Sequence, residues 1–434
     1  MMTRRTMLTK LALGVAGVAS AAVSIRVPDV WNPSATVISP QDDGFLDELS
    51  RASFQFFREC AHPKTGMVKN LGRLADDRYN TVSSIAATGF GLTSLCIAAE
   101  RGWVKRGEAV ERARKTLRFL WSGTPTAQGF YYHFIDWQSG ARVWQSEVSS
   151  IDTAILLCGV LSCRQYFADD EIQELATRIY NRMDWQWLYR NGPFLSHGWT
   201  PERGFLASRW DTYSEHMMLY LLAIGASEHA IPAAAWNAWH RPVVNYGGHS
   251  YIETEAPLFI HQYSHAWFDF RRQHDGHADY FRNSAVATMV HRRFCADLRE
   301  EFPHYSNELW GITASESPQG YVIWGGPPRQ GPIDGSIVPC AVGGSLPFLP
   351  ADSLTALRGM RARFGSKAWG RFGFADAFNP ATGWSAHDYV GINTGITLLM
   401  AENARTGFVW DLFMKNFETR AAMQLVGFRE TALA

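Results

Sequence analysis

Apolar residues recur at helical spacing along most of the chain after residue 41. In the segment 42–60, for example, Phe45, Leu49 and Phe57 fall on one face of a predicted helix. The same periodicity predicts helices over 82–101, 107–121, 148–167, 169–182, 211–224, 257–272, 279–298, 352–364 and 391–405. Strands do not alternate with these helices, so the pattern excludes a Rossmann or TIM-barrel layout.

Many helices without heptads or a fixed repeat indicate an all-α helical toroid rather than a solenoid. A double ring of helices, the (α/α)6 barrel, fits the length of 434 residues and the long glycine- and tryptophan-rich loops. Short β pairs are expected around 192–206 and 320–338. The inner helices of such a barrel begin at its cleft, so the first turns of helices are where functional side chains are expected. We predict a linker over 25–41, one helical domain over 42–420 and a C-terminal tail over 421–434.

The N-terminus has the pattern of an export signal over 1–24. Arg4 and Arg5 precede an apolar run over 11–23, and Ala19-Ser20-Ala21 is a small-residue cleavage site. Paired arginines before a modest apolar segment predict twin-arginine export, hence a periplasmic or secreted protein with no stable membrane anchor after cleavage. An uncleaved anchor is the alternative, but the run is short for a membrane span.

Charge and composition narrow the class of ligand. The 41 basic and 41 acidic side chains balance, which argues against nucleic acid and anionic membrane surfaces as partners. Aromatic residues make up 13% of the chain and include 17 Trp, which suits either platforms for sugar rings or a large core. The six cysteines show no metal-ligand spacing. Most are interpreted as buried apolar residues, with a disulfide between distant ones left open: Cys60, Cys96, Cys158, Cys163, Cys295 and Cys340.

The segment 129–154 combines aromatic and acidic residues directly before a predicted helix. Glycoside hydrolysis needs two carboxyl groups, one to protonate the leaving oxygen and one to act on water or on the anomeric carbon. Glu147 is a candidate catalytic residue, and Asp136 and Trp144 are candidates for substrate binding. Asp152 is a second catalytic candidate, although its spacing from Ser149 is also that of a helix-capping box.

Glu215 is the other strong candidate for catalysis. Trp210 and Tyr213 precede it closely and are expected to line a sugar site. The spacing of Thr212 and Glu215 again fits a capping box, so a purely structural role for Glu215 competes with the catalytic one.

The predicted helix over 257–272 carries polar and aromatic residues that are candidates for substrate binding: His261, Gln262, Tyr263 and Trp267. His261 and His265 are spaced to share a metal ion, but no acidic third ligand is clearly placed. We therefore interpret them as histidines of a sugar cleft or of the core, and predict no metal and no cofactor.

Later loops add further candidates. Trp310, Tyr321, Trp324 and Trp384 are predicted to contact substrate, and Asp388 is an additional catalytic candidate beside a helix start, where it could instead be a cap. The glycines of these loops do not follow the sequence pattern of a phosphate-binding loop, so nucleotide binding is not indicated.

Taken together, these segments resemble the glycoamylase-like domain proteins, specifically glycoside hydrolase family 144, the bacterial β-1,2-glucanases. The resemblance covers about 45–414 and is carried by the following motifs: 129–153, 213–225, 257–271, 308–328, 343–348, 369–380 and 395–407. It implies an (α/α)6 barrel that hydrolyses β-1,2-linked glucose chains to sophorose or slightly longer products, without metal and with inversion.

The resemblance also implies roles for individual residues. Glu215 aligns with the general acid and Glu147 with the group on the water side, while Asp152, Asp136 and Asp388 are alternatives. The chain departs from the family pattern at Asn393, where Asp is frequent, and at 387–388.

Several other functions stay open on the sequence. A transglycosylase, a phosphorylase or a hydrolase of another β-glucan would use the same fold, and a non-catalytic periplasmic glucan-binding protein would keep the aromatic platforms. A lyase would need a basic cleft for uronic acids, which the balanced charge does not favour. Endo or exo action and the oligomeric state are not fixed by the sequence.

Overall fold

The structure is a computed structural model that describes residues 38–73, 80–254, 257–328 and 330–431. Helices dominate it. Its α-helices are α1 (Pro40–Glu59), α2 (Ile85–Glu100), α3 (Arg106–Ser122), α4 (Ser150–Tyr166), α5 (Asp170–Asn181), α6 (Trp185–Tyr189), α7 (Met217–Ile224), α8 (Ala235–Ala238), α9 (Tyr280–Asp297), α10 (Pro339–Gly343), α11 (Pro350–Phe364), α12 (Gly391–Thr406), α13 (Phe408–Phe413) and α14 (Phe417–Leu425).

The longer helices alternate between two kinds of burial along the chain. Helices α2, α4, α7 and α12 bury nearly every side chain, so they are covered on all sides. Helix α5 instead buries one stripe that includes Ile172, Leu175 and Ile179, as a helix with a solvent face does. This alternation defines an inner and an outer ring.

The inner ring closes on itself. Helix α12 packs on α2, α2 on α4, α4 on α7, and α10 on α12. Between α7 and α10 stand two 3₁₀ turns, Leu258–His261 and Ser264–Ala266. The Ser264 hydroxyl accepts from the Met218 N–H at 3.0 Å, and the Gln262 amide donates to the Ala341 carbonyl at 2.8 Å. The predicted (α/α)6 barrel is thereby confirmed.

Two predicted helices differ from the structure. The segment 257–272 is not one α-helix, because it contains two 3₁₀ turns. The prediction was wrong since most of its residues are buried, and such an apolar pattern does not distinguish an α-helix from successive 3₁₀ turns. The predicted helix 211–224 begins only at Met217, and the residues before it form turns and a bridge to His240.

Glycine permits the closest helix contact in the inner ring. A Cβ on Gly159 would lie 2.1 Å from the Gly89 carbonyl oxygen, and one on Gly89 would lie 2.4 Å from the Ile155 carbonyl oxygen. Helices α2 and α4 therefore cross backbone to backbone, which fixes the spacing between the starts of both helices.

Short strands occur in the loops between the helices and after the last helix. They are β1 (Leu71–Arg73), β2 (Val82–Ser84), β3 (Thr126–Ala127), β4 (Phe130–Tyr131), β5 (Phe134–Asp136), β6 (Val148–Ser149), β7 (Gly198–Thr200), β8 (Gly204–Phe205), β9 (Val243–Tyr246), β10 (His249–Ile252), β11 (Gln273–His274), β12 (Ser315–Ser317), β13 (Gly320–Val322), β14 (Trp369–Gly370), β15 (Gly373–Phe374), β16 (Asp388–Val390) and β17 (Arg429–Glu430). All pairs are antiparallel. The pair β7–β8 falls in the first predicted β region, whereas in the second only β13 does, because its partner β12 lies just before residue 320.

Three of these strands run directly into inner helices. Strand β2 leads into α2, β6 into α4 and β16 into α12, and each is paired with a strand from a neighbouring loop. The strands therefore bring the starts of these inner helices to one face of the molecule, where the sequence predicted the cleft.

The chain ends are only partly described. The predicted export signal over 1–24 and most of the predicted linker lie outside the described residues, and α1 begins at Pro40 inside that linker. The predicted boundary at 420 falls within α14, and β17 pairs with β11, so the described part of the predicted tail packs on the domain.

The six cysteines all lie in the described part of the chain, where they are buried and form no disulfide. Among the described helices, none is both long enough and apolar enough to cross a membrane.

Candidate active site

The start of α4 holds two of the predicted carboxylates. Ser149 is the N-cap of α4, and its hydroxyl oxygen accepts from the Asp152 N–H at 3.1 Å while the hydroxyl donates to the Asp152 carboxylate. The predicted capping box at Ser149 is therefore confirmed. Asp152 is tied to this structural role, although its carboxylate also contacts a histidine.

That histidine, His133, stands between Asp152 and Glu147. Its Nδ1 lies 3.1 Å from Glu147 Oε1, and its Nε2 lies 3.5 Å from Asp152 Oδ1. All three residues are buried, and the ring stacks on Phe134 with centroids 3.8 Å apart. The sequence analysis did not single out His133, although its place in the aromatic and acidic segment 129–154 was a usable signal.

This cluster is also the place among the described residues where a metal ion could be held. One ligand atom from each of His133, Glu147 and Asp152 lies within 4.8 Å of the others, and imidazole with two carboxylates is a donor set that suits a divalent transition metal. Both ring nitrogens already face carboxylate oxygens, however, so an ion would have to displace one of these contacts.

Glu215 lies in the loop directly before α7. The Ser214 hydroxyl donates to its carboxylate, and its backbone carbonyl accepts from the Ser264 hydroxyl at 2.7 Å. His216 rather than Thr212 occupies the N-cap position of α7 and makes no side-chain cap bond. The capping alternative for Glu215 is therefore wrong, which removes the structural explanation that competed with catalysis.

Asp388 begins β16, which leads into α12. Arg73 of the paired strand β1 grips it with Nε 2.7 Å from Oδ1 and Nη2 2.9 Å from Oδ2. Val390, not Asp388, is the N-cap residue of α12, so the cap interpretation of Asp388 is wrong. The ion pair instead holds a carboxylate at the mouth of the ring.

Two further acids near α12 were missed in the sequence analysis. The Asp376 carboxylate accepts from the Glu316 N–H at 2.7 Å and from the Asn393 amide at 2.9 Å. Burial, with added repulsion from Asp376 and Asp388, raises the pKa of Glu316 to about 7. Burial also raises the pKa of Asp376 to about 6. Neither acid lies in the first turn of a helix, which is where the sequence analysis looked for them.

The order of the inner ring relates these groups to one another. Helices α7 and α12 stand opposite each other, with α4 and α2 between them on one side and the 3₁₀ segment and α10 on the other. Glu215 therefore precedes the inner helix that stands opposite α12, and Glu147 precedes the neighbouring inner helix, α4.

Most of the predicted sugar platforms turn out to be core residues, so their assignment to substrate binding is wrong. No more than 5% of each side chain is exposed, which leaves no ring face for a sugar: Trp210, Tyr213, His261, Gln262, Tyr263, Trp267, Trp310 and Trp324. Several of their polar atoms are hydrogen-bonded internally, although Trp310 Nε1 and His261 Nε2 have no hydrogen-bond partner within the described part of the chain. The Trp267 indole N–H, for example, donates to the Thr93 hydroxyl at 2.9 Å.

The two spaced histidines do not form a metal site. His261 Nδ1 lies 3.0 Å from the Tyr213 hydroxyl, and His265 Nε2 lies 3.0 Å from the Ser284 hydroxyl. Burial lowers the pKa of His265 to about 3, so this ring is neutral. The interpretation of both as hydrogen-bonded core histidines agrees with these contacts.

Trp144 is the predicted platform that remains open, with 54% of its surface exposed. It packs edge-on against Phe134, with ring centroids 5.2 Å apart, and so stands beside the His133 cluster. Trp144 and Gln145 both have positive φ, of 56° and 50°, a left-handed conformation that is uncommon for such side chains. Arg142 clamps this loop by donating to the Gln145 carbonyl at 2.6 Å.

The remaining predicted contacts are partly exposed. Tyr321 and Trp384 are half-buried at the edges of their loops. Asp136 closes a turn by accepting from the Ser139 N–H at 2.7 Å and from the Ser139 hydroxyl at 2.8 Å. These bonds give Asp136 a structural function in the loop that presents Trp144.

An (α/α)6 barrel whose helix starts carry carboxylates around one cleft is the architecture of the glycoamylase-like proteins, and comparison with known proteins supports this class. The family model Glycoamylase, described as "Putative glucoamylase", matches residues 207–417. The family resemblance predicted from the sequence is confirmed by this similarity.

Individual proteins that the chain resembles have more specific names than the family model does. The chain is 27% identical over 92% of its length to an exo β-1,2-glucooligosaccharide sophorohydrolase of Parabacteroides distasonis, and spans 60% of the length of that relative. It is 27% identical to the endo-β-1,2-glucanase of Chitinophaga pinensis, solved with sophorotriose and glucose. The TM-score is 0.82, and the match covers 91% of this chain and 100% of the other. A β-1,2-glucanase structure from Parabacteroides distasonis matches with a TM-score of 0.83 and 25% identity, over 91% of this chain and 61% of that one.

Proposed function

We propose that the chain is a glycoside hydrolase that cleaves β-1,2-glucan and releases sophorose or short β-1,2-linked oligosaccharides. The observation that carries the proposal is the match over the full length of a β-1,2-glucanase that was solved with sophorotriose. In this proposal the carboxylates of this chain supply the chemistry that such a reaction needs, because buried acids lie at or just before the starts of inner helices.

In this proposal Glu215 is the general acid. It protonates the glycosidic oxygen, so the bond breaks without expelling an alkoxide. Glu215 does not cap a helix, so that structural role no longer competes with catalysis. The Ser214 hydroxyl holds its carboxylate, and the Ser264 hydroxyl holds its backbone carbonyl. A β-1,2 bond is crowded by the neighbouring ring, and we propose that a sugar hydroxyl relays the proton from Glu215 to the glycosidic oxygen.

The water side is proposed to be served by Glu147, with Asp152 and Asp388 as alternatives. An inverting enzyme activates water on the face of the sugar opposite to the acid. Glu147 and Asp152 enter the cleft next to Glu215, and Asp388 enters opposite it. Single substitutions by the amide distinguish the three, because the base variant loses turnover and keeps substrate binding.

Trp144 is the proposed stacking platform. An exposed indole face beside a carboxylate cluster offers a sugar ring the apolar contact that aromatic residues commonly provide. Tyr321 and Trp384 are proposed to contact the chain at the rim of the cleft.

For localisation, we propose export by the twin-arginine pathway to the periplasm or beyond. The support is the Arg4-Arg5 pair before the apolar run over 11–23. Replacement of both arginines by lysine is expected to keep the protein in the cytoplasm, as measured by cell fractionation. Export of that variant at the wild-type level would contradict the proposal.

The test of function is a time course with purified protein and linear β-1,2-glucan, with the products resolved by chromatography. Sophorose alone from the first time points would indicate action at a chain end, and a falling ladder would indicate internal cleavage. β-1,3- and β-1,4-glucans are the controls. Without phosphate, continued cleavage excludes a phosphorylase, and no product from any of the glucans would overturn the proposal.

A further inference from the structure

His133 is a buried histidine whose two ring nitrogens both face candidate catalytic carboxylates. Nδ1 lies 3.1 Å from Glu147 Oε1 and Nε2 lies 3.5 Å from Asp152 Oδ1. The general-acid and base roles proposed above do not use this residue. Its position between the two acids raises the question of what the ring does there.

The backbone of His133 fixes the ring relative to two inner helices. Its N–H donates to the Glu147 carbonyl at 2.9 Å, and its carbonyl accepts from the Ile85 N–H at 3.3 Å, at the first residue of α2. The ring itself stacks on Phe134 with an interplanar angle of 18°. His133 is therefore attached to the start of α2 and to the strand that leads into α4.

The two contacts differ in length. The Nδ1 contact with Glu147 Oε1, at 3.1 Å, is a hydrogen bond, and Nε2 lies farther from Asp152 Oδ1, at 3.5 Å. The Ser149 hydroxyl donates to the other carboxylate oxygen of Asp152. Both acids are therefore contacted by the same ring, and Asp152 is also held by the N-cap of α4.

We propose that His133 is a positioning residue that holds the Glu147 and Asp152 carboxylates in one orientation toward the cleft through simultaneous contacts with both. The proposal rests on the proposed hydrolase function, because it assigns His133 to the water side of that reaction. In this proposal His133 is not a catalytic residue, because its ring acts through the two acids and does not contact the sugar.

Three substitutions at His133 test the two contacts together and one at a time. His133→Phe keeps the stacking on Phe134 and removes both polar contacts. His133→Asn places an amide near the position of Nδ1 and so keeps the Glu147 contact, whereas His133→Gln reaches the position of Nε2 and keeps the Asp152 contact. His277→Phe is the matched control, because His277 bonds to Asn237 at 2.9 Å on the outer side of the barrel.

For each variant, kcat and KM are measured on β-1,2-glucan, together with the thermal midpoint, and crystal structures of wild type and His133→Phe are compared. His133→Phe is expected to lose kcat by about 10²-fold, as a misplaced catalytic group does, with KM and the control nearly unchanged. His133→Asn and His133→Gln are each expected to recover only part of this loss. In the crystal structure, the Glu147 and Asp152 carboxylates are expected to leave their wild-type positions.

Wild-type kcat in His133→Phe, or full recovery by one amide variant alone, would overturn the proposal. So would a loss of kcat with both carboxylates unmoved, since the ring would then act directly. If His133→Phe does not fold, the two amide variants decide, because wild-type kcat in either contradicts a role that needs both contacts. If wild type does not cleave the glucan, the proposed function fails, and displacement of the carboxylates still decides the positioning role.

Discussion

Trp210 donates its indole N–H to the Ser150 hydroxyl at 2.9 Å, and this bond joins the loop that carries Glu215 to the start of α4. The same hydroxyl donates to the His197 carbonyl at 2.9 Å, and the His197 ring stacks on Trp210. The loop that carries Glu215 and the start of α4 are thus held together by buried polar contacts. Trp210 acts as a brace and not as a sugar platform.

Glu215→Gln is expected to lower kcat by about 10²–10⁴-fold, which is the usual contribution of a general acid. The substitution keeps the shape of the side chain, so binding of β-1,2-linked oligosaccharide, measured by calorimetry, should stay within a few fold of wild type. Glu174→Gln is the control, because Glu174 is exposed on the outer helix α5 and pairs only locally with Arg178. Unchanged kcat in Glu215→Gln would exclude it as the acid.

Trp144→Ala is expected to raise KM by about 2–12-fold, since an aromatic contact contributes about 0.5–1.5 kcal/mol and 1.4 kcal/mol is a factor of ten. The indole is largely exposed, so the thermal midpoint should hardly change. Phe417→Ala is the matched control, because Phe417 is similarly exposed on α14, outside the inner ring. An unchanged KM, measured on the same glucan, would remove Trp144 from the site.

The fold could be predicted from the sequence because outer helices such as α5 show an apolar stripe, inner helices such as α2 and α7 are apolar runs of helical length, and the loops between them are rich in glycine. The segment 257–272 shows the limit of that signal. Its residues are buried all round, and the Ser264 hydroxyl and Gln262 amide bond to neighbouring elements. Such tertiary contacts are not visible in a local pattern, and they select 3₁₀ turns over an α-helix.

The site was predictable where a carboxylate precedes an inner helix, as at Glu147 and Glu215. It was not predictable where an acid is held by partners from other segments, as Asp376 is by the Asn393 amide and the Glu316 N–H. Asp388 was predicted, but its partner Arg73 on the paired strand β1 was not. Most aromatic residues were wrongly predicted to contact substrate, because a tryptophan beside an acid has the same sequence pattern in a sugar cleft and in a core.

Gly159→Ala is expected to destabilise the fold by about 3 kcal/mol or more, at the upper end of overpacking costs. The new Cβ would lie 2.1 Å from the Gly89 carbonyl oxygen, and the neighbour is backbone that cannot move aside. Gly107→Ala is the control, since a Cβ there meets nothing within 4 Å and helix α3 should gain up to about 1 kcal/mol. Urea unfolding measures both, and equal stability of the two variants would contradict the close crossing of α2 and α4.

Glu316→Gln tests the acids around α12 through the pH dependence of stability. Burial raises the pKa of Glu316 from 4.5 to about 7 in the folded protein. Between these values the folded state binds more protons than the unfolded state, so this group makes the protein less stable as the pH rises from about 4.5 to 7. The variant cannot ionise, and it should therefore match wild type most closely near pH 4.5 and exceed it in stability near pH 7.5. Arg361 lowers the pKa of the exposed Glu48, so Glu48→Gln should show no such gain. Thermal unfolding across this range measures the difference, and a stability difference between wild type and Glu316→Gln that does not change with pH would show that Glu316 is ionised as an ordinary surface acid is.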